Sequence, residues 1–251
     1  MASNLELVRS RLSVRERLIV ALDLDNLEEV KQLVRLLVPE IGMFKVGKQL
    51  FTYAGPQAVR LIQELGGEIF LDLKFHDIPN TVAKAAIEAT RLGVKMFDVH
   101  ASGSLEMMRT TVRAVRRICR QEKRRQPIML AVTVLTSLNQ DDLKRLGVGG
   151  KVTDQVVRLA LLTKEAGMDG VVASPHEVAE IRSACGRRFV IVTPGIRSVR
   201  AERNDQQRVM TPAGAIAAGV DYIVVGRPIL EAQDPVAVAR GIVAEMQRGG
   251  R

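Results

Sequence analysis

Along the chain, short runs of almost unbroken apolar residues alternate with longer stretches where apolar residues recur every three or four positions. The short runs fall at residues 18–24, 43–47, 68–74, 96–101, 128–134, 170–174, 189–193 and 222–226. Their continuous hydrophobic character predicts strands covered on both faces, as in a parallel sheet. The stretches between them carry helical periodicity; in the last, Val236, Ala239, Ile242, Val243 and Met246 are spaced to face the sheet. Gly66, Gly93, Gly167, Gly186 and Gly219 stand where helices should close, because glycine takes left-handed backbone most easily. Thr211-Pro212 and Asp234-Pro235 each set a capping side chain before a proline, a helix-start signal. Two further elements are predicted: an N-terminal helix near residues 3–16, opened by the capping box Ser3-Asn4-Leu5-Glu6, and a short helix near 140–146.

Eight strand–helix units with no linker or shift of composition predict one domain over residues 1–251, a closed (β/α)8 TIM barrel with an extra N-terminal helix. An open dinucleotide-binding sheet has no support, since no Gly-x-Gly-x-x-Gly follows the first strand. Aromatic residues are only 3% of the chain, so the core must be built from Leu, Ile, Val, Ala and Met. No apolar run approaches the ~20 residues needed to cross a bilayer, and Glu6, Arg9 and Arg11 interrupt any leader-like segment. Cys119 and Cys185 lie outside any Cys-x-x-Cys spacing and read as free thiols of a reducing compartment. The expectation is a cytoplasmic protein with no membrane partner.

The net charge of +9 raises nucleic acid or an anionic ligand as partners. The basic residues are spread along the chain, however, and the densest run (113–125) falls on a helix and the loop after it. No aromatic stacking platform is interleaved with it, so a solvated helix face is the better reading and no nucleic acid is expected. A small anionic substrate fits the same excess.

In barrels of this kind, chemistry gathers at the C-terminal ends of the strands. Those ends carry Asp23, Lys45, Asp72 and Lys74, His100, Ser174-Pro175, Thr193-Pro194-Gly195 and Gly226-Arg227. Asp72 and Lys74 are two apart, so on a regular strand they share a side. Asp77 lies just beyond, before the helix opened by Pro79. A lone Asp–Lys pair could be a structural ion pair, but an alternating Lys45–Asp72–Lys74–Asp77 array has little structural purpose at a barrel mouth. Alternation keeps lysines and carboxylates ionised despite desolvation, and a charged Lys74 is then a proton donor beside fixed negative charge.

A second constellation suits an anion. Barrels often bind phosphate with the loops after strands seven and eight, which here carry Pro194-Gly195-Ile196-Arg197 and Gly226-Arg227-Pro228. The stretch 196–210 adds Arg200, Arg203, Gln206 and Arg208, and a loop this long in a compact barrel reads as a lid. His76, His100 and His176 have no metal-ligand spacing and read as hydrogen-bonded wall residues. Neither Ser137 nor Ser174 has a His–Asp relay, which argues against acyl transfer.

The stretch Leu71-Asp72-Leu73-Lys74-Phe75-His76-Asp77-Ile78-Pro79-Asn80-Thr81 resembles the signature of the orotidine 5′-phosphate decarboxylase family. Supporting matches run through the chain in order: Ala21-Leu22-Asp23, Phe44-Lys45-Val46-Gly47, Val132-Thr133-Val134-Leu135-Thr136-Ser137, Val192-Thr193-Pro194-Gly195-Ile196-Arg197 and Val224-Val225-Gly226-Arg227-Pro228. The resemblance implies decarboxylation of orotidine 5′-monophosphate to UMP in pyrimidine biosynthesis, with no cofactor and no metal. Lys74 would protonate C6, Asp72 would sit against the scissile carboxylate, Lys45 would bridge towards the ribose and Asp23 would bind ribose hydroxyls. Thr136 and Ser137 would lie against the pyrimidine, with Pro194 also at the substrate. Arg197, Gln206, Gly226 and Arg227 would hold the phosphate. Ser198 departs from the proline that bacterial relatives carry after Gly-Ile-Arg, and Gln207 stands beside Gln206 as a second amide. The resemblance also implies a homodimer in which Asp77, Ile78 and Thr81 enter the second subunit's site.

Loss of carbon dioxide from a ring carbon leaves a carbanion with no adjacent electron sink, so the site itself must supply electrostatic stabilisation and a proton. The nearest alternative is a magnesium-dependent phosphosugar lyase of the same superfamily, which shares Asp-x-Lys-x-x-Asp but carries an acidic metal ligand on the second strand. Lys45 stands there instead. A non-catalytic nucleic-acid-binding barrel is the remaining class.

Overall fold

The computed structural model describes residues 12–196 and 210–250. Eight parallel strands close on themselves in sequence order. They are β1 (Leu18–Ala21), β2 (Met43–Gly47), β3 (Ile69–Phe75), β4 (Met96–His100), β5 (Ile128–Val132), β6 (Gly170–Val172), β7 (Val190–Thr193) and β8 (Tyr222–Val225). Closure is made by β1 against β8, with Leu18 opposite Ile223 and Val20 opposite Val225. This is the expected (β/α)8 barrel, and each strand alternates between two apolar environments. Ile19, Met43, Phe70, Met96, Leu130 and Tyr222 fill the barrel, while Val20, Phe44, Leu71, Phe97 and Ile223 pack outward beneath the helices. Each such side chain contributes about 1.5–3 kcal/mol on burial, which is why the strands read as apolar on both faces.

The helical ring matches its punctuation. Thr211 Oγ1 accepts from Gly214 N at the start of Pro212–Ala217, and Asp234 Oδ1 accepts from Ala237 N at the start of Pro235–Gly249. In the latter helix Ala239, Ile242 and Met246 are buried, with Val236 and Val243 packed at the edge of the core. The short helix expected near 140–146 spans Gln140–Arg145. Of the expected N-terminal helix, residues 1–11 lie outside the described residues; the rest is a 3₁₀ turn, Val14–Arg17, with the Glu16 carboxylate accepting from Ser13 N and Oγ.

Five strands pair over a shorter length than their apolar runs predict at the barrel mouth, β4 by the single residue after His100. β1 ends at Ala21, β5 at Val132, β6 at Val172 and β8 at Val225, although Leu22, Val134 and Ala173 beyond them are buried. The ladder fades because the chain turns outward at the rim. Val134 and Ala173 stay buried as lining of the site, and Leu22 as part of the core beneath the helices.

Candidate active site

The mouth of the barrel collects four of the charged side chains singled out above. Lys45 Nζ lies 3.1 Å from Asp23 Oδ1 and 3.3 Å from Asp72 Oδ2, while Lys74 Nζ contacts Asp72 Oδ1 from the other side. The order is Asp23–Lys45–Asp72–Lys74, each cation between or beside carboxylates. Gly47 makes room for it: a Cβ there would stand 2.7 Å from Lys45 Nζ and 3.1 Å from Asp23 Oδ1.

The Asp72–Lys74 contact does not come from simple strand alternation. Along β3 and β4, Leu71 pairs with Phe97 but Phe75 pairs with Val99, so the longer β3 segment bulges against a single intervening residue, Asp98. Lys74 absorbs the bulge with φ +53, a left-handed conformation that non-glycine residues rarely adopt. Its backbone N–H donates to Asp98 Oδ1 at 2.8 Å. Asp98 is completely buried. Residue typing along the strand could have found it, because a carboxylate inside Met96-Phe97-Asp98-Val99-His100 needs a partner; attention to strand ends alone passes over it.

The protonation pattern follows from burial and neighbours. Burial alone would depress Lys45, but Asp72 and Asp23 outweigh it and hold its pKa above that of an ordinary lysine. Burial would raise Asp72; the Asp98 carboxyl beside it and the charges of Lys45 and Lys74 bring it below the usual carboxylate value. Asp98 goes the other way, pushed well up by burial and then by the charge of Asp72.

Two adjoining cavities open above this chain of charges. One, about 190 Å³, is lined by Lys45, Asp72 and Lys74 on one side and by Phe70, Val132, Val134, Leu135, Thr136, Ala173, Pro194 and Val224 on the other. The second, about 460 Å³, shares Lys45, Pro194 and Val224 with the first and adds Asp23, Gln49, Gly195, Ile196, Gly226, Arg227 and Glu231. An apolar slot ending in ionised groups thus leads into a polar chamber, a shape suited to a flat ring with a polar, anionic extension. Gln49, inside the helix Lys48–Ala54, and Glu231, just past the turn Arg227–Leu230, carried no signal in the sequence, since both lie outside the strand-end motifs.

Other expected residues are placed differently. Ser137 is exposed beyond Thr136 and does not line either cavity. Asp77, Ile78 and Thr81 are exposed around the start of the helix Pro79–Arg91 and line neither cavity of their own chain. Asp77 Oδ1 accepts from the neighbouring Ile78 N at 2.6 Å. Arg197 and Gln206 lie outside the described residues, as do Ser198, Arg200, Arg203, Gln207 and Arg208. The flanking Ile196 and Met210 meet in an isolated bridge, and Ile196 lines the polar chamber. His76 and His100 stack at 5.4 Å and His100 Nδ1 lies 2.7 Å from Ser102 Oγ, but neither lines the two cavities.

The chain is 57% identical over 92% of its length to an orotidine 5′-phosphate decarboxylase from Syntrophotalea carbinolica, covering 95% of that protein. It is 54% identical to one from Geobacter metallireducens, over 96% of this chain and all of that protein. The crystal structure of orotidine 5′-phosphate decarboxylase from Lactobacillus acidophilus superposes with a TM-score of 0.80 at 38% identity, covering 91% of this chain and 98% of that one. The family model described as orotidine 5′-phosphate decarboxylase / HUMPS matches residues 16–242, and the chain belongs to that family.

Proposed function

We propose that this protein decarboxylates orotidine 5′-monophosphate to UMP without a cofactor, with Lys74 as the proton donor. One observation carries the reading: the linked side chains of Asp23, Lys45, Asp72 and Lys74 form one wall of an apolar slot that opens into a polar chamber. The pyrimidine occupies the slot with Thr136 and Pro194 beside it. The ribose lies towards Asp23 and Lys45, and the phosphate reaches Gly226 and Arg227 with Arg197 and Gln206.

In the reaction the bond between C6 and the carboxylate carbon breaks, carbon dioxide leaves, and the electron pair remains on C6. The Lys74 ammonium stabilises that charge and transfers a proton to C6; solvent then reprotonates the amine. Asp72 holds Lys74 at the reacting carbon and places negative charge beside the departing carboxylate. Contacts to the phosphate, away from C6, supply binding energy that orders the site around the substrate. The magnesium-dependent alternative fits less well, because the second strand carries Lys45 where those enzymes have an acidic metal ligand, and its ammonium lies between Asp23 and Asp72.

The working unit is a homodimer in which Asp77, Ile78 and Thr81 complete the second subunit's pocket. Ile78 supports this: a large apolar side chain 67% exposed at the barrel mouth calls for a cover. Cys119 and Cys185, free and buried, suit a reducing cytoplasm. Among the described residues no helix is long and apolar enough to cross a membrane.

The decisive experiment follows UMP formation from orotidine 5′-monophosphate in excess EDTA. The wild type should turn over fully, and Lys74→Ala should bind UMP yet lose turnover by about 1,000-fold or more. Loss of wild-type activity to the chelator would overturn the cofactor-free reaction, and unchanged turnover in Lys74→Ala would remove the lysine from its role.

A further inference from the structure

Asp98 lies outside every role given above, yet it is the most enclosed ionisable group at the site, with no solvent exposure. Met96, on the same side of β4, faces the barrel interior, whereas Phe97 and Val99 face out. Asp98 therefore points inward, with Leu130 as its ladder partner on β5. The charged groups acting on it are Asp72 and Lys74, both from β3. Its Oδ1 accepts from the Lys74 backbone. Its Oδ2 is buried and meets no donor, although the Asp98 and Asp72 side chains are within hydrogen-bonding reach of one another.

Two ionised carboxylates in contact would repel in this interior, and an acceptor without a donor would add a desolvation cost. A proton on Asp98 removes both problems. We propose that Asp98 is a positioning residue held as a neutral acid: Oδ1 fixes the left-handed backbone that presents Lys74, and the Oδ2 proton bonds Asp72. Burial and the neighbouring Asp72 charge favour that neutral form. The neutral acid leaves Asp72 as the single negative charge between Lys45 and Lys74, and the backbone bond holds the bulge that sets the Lys74 ammonium against it. This inference rests on Lys74 acting as the proton donor, and it assigns to the layer beneath the reacting groups the task of aiming that donor.

Asp98→Asn supplies the test, because an amide reproduces the neutral acid: its oxygen accepts from Lys74 N and its nitrogen donates to Asp72. This variant should keep kcat within about threefold of wild type. Asp98→Leu, of similar bulk but without either bond, should lower kcat by about 30-fold or more with KM changed less than about threefold. A protonated-carboxyl stretch should be present in the infrared spectrum of the resting enzyme and absent from Asp98→Asn. A loss in Asp98→Asn as large as that in Asp98→Leu, or no such band, overturns the neutral acid; unchanged kcat in Asp98→Leu overturns the positioning role. If Asp98→Leu does not fold, Asp98→Asn and the infrared band still decide. The band needs no substrate, so failure of the wild type to decarboxylate orotidine 5′-monophosphate would be a separate result.

Discussion

Lys45 Nζ stands 3.3 Å from Asp72 Oδ2, with both side chains almost closed off from solvent. Two charges so placed hold each other ionised, and neither tolerates losing its partner. Lys45→Met keeps the length of the side chain and removes the charge, leaving Asp72 to Lys74 and Asp98. The loss of one member of a buried pair, about 3–5 kcal/mol, should lower kcat/KM by about two to four orders of magnitude. Steady-state kinetics decide it, and a fall of less than about tenfold would show that Lys45 merely fills space.

Opposite pKa shifts in adjacent carboxyls have opposite effects on stability. Asp72 titrates below the ordinary value in the folded protein, so its contribution is present above that value and is lost as pH falls through its folded pKa. Asp98 titrates well above it, mainly through burial, so the native state holds an extra proton and stability falls as pH rises from about 4 towards the folded pKa. Asp98→Asn removes only the second effect. The difference in Tm between Asp98→Asn and wild type should therefore shift in the variant's favour as pH rises through that window. A difference independent of pH would contradict it.

Subunit exchange tests the shared site. Lys74→Ala and Asp77→Ala should each be inactive alone, whereas co-refolded mixtures should recover about a quarter of wild-type activity, since half the dimers carry one intact site. No recovery, with mixed dimers demonstrated, would place Asp77 in its own subunit's pocket.

At the other end of the barrel, Arg182 Nη2 meets Asp221 Oδ2 at 2.6 Å and also bonds the Gly219 carbonyl at 2.7 Å. The same Asp221 oxygen accepts from Ile191 N at 2.7 Å, tying the start of β7 to the turn before β8. Asp221→Ala removes the counter-charge of the largely buried Arg182 guanidinium and the acceptor for Ile191 N, and should cost about 3 kcal/mol in denaturant unfolding. The kcat should be unchanged, because the pair is remote from the reacting groups. A large kcat defect in folded Asp221→Ala would mean that the two ends are coupled.

Much of this protein is determined by local pattern. Runs apolar on every residue can be stable only with both faces covered, so eight of them separated by amphipathic helices already call for a closed parallel barrel. The same rule brings Asp23, Lys45, Asp72 and Lys74 to one mouth, because each lies in or just beyond the C-terminal half of β1, β2 or β3. Tertiary structure decided what alternation cannot. Lys74 reaches Asp72 through a bulge and a left-handed residue, and both depend on Asp98 of the adjoining strand. The dependence is a pairing between strands, set by register across the barrel wall, and register is a property of two segments together. Asp98 itself reads in sequence as one carboxylate in an apolar strand; its place beneath the site and its missing donor exist only once β3 and β4 lie side by side in a dry interior.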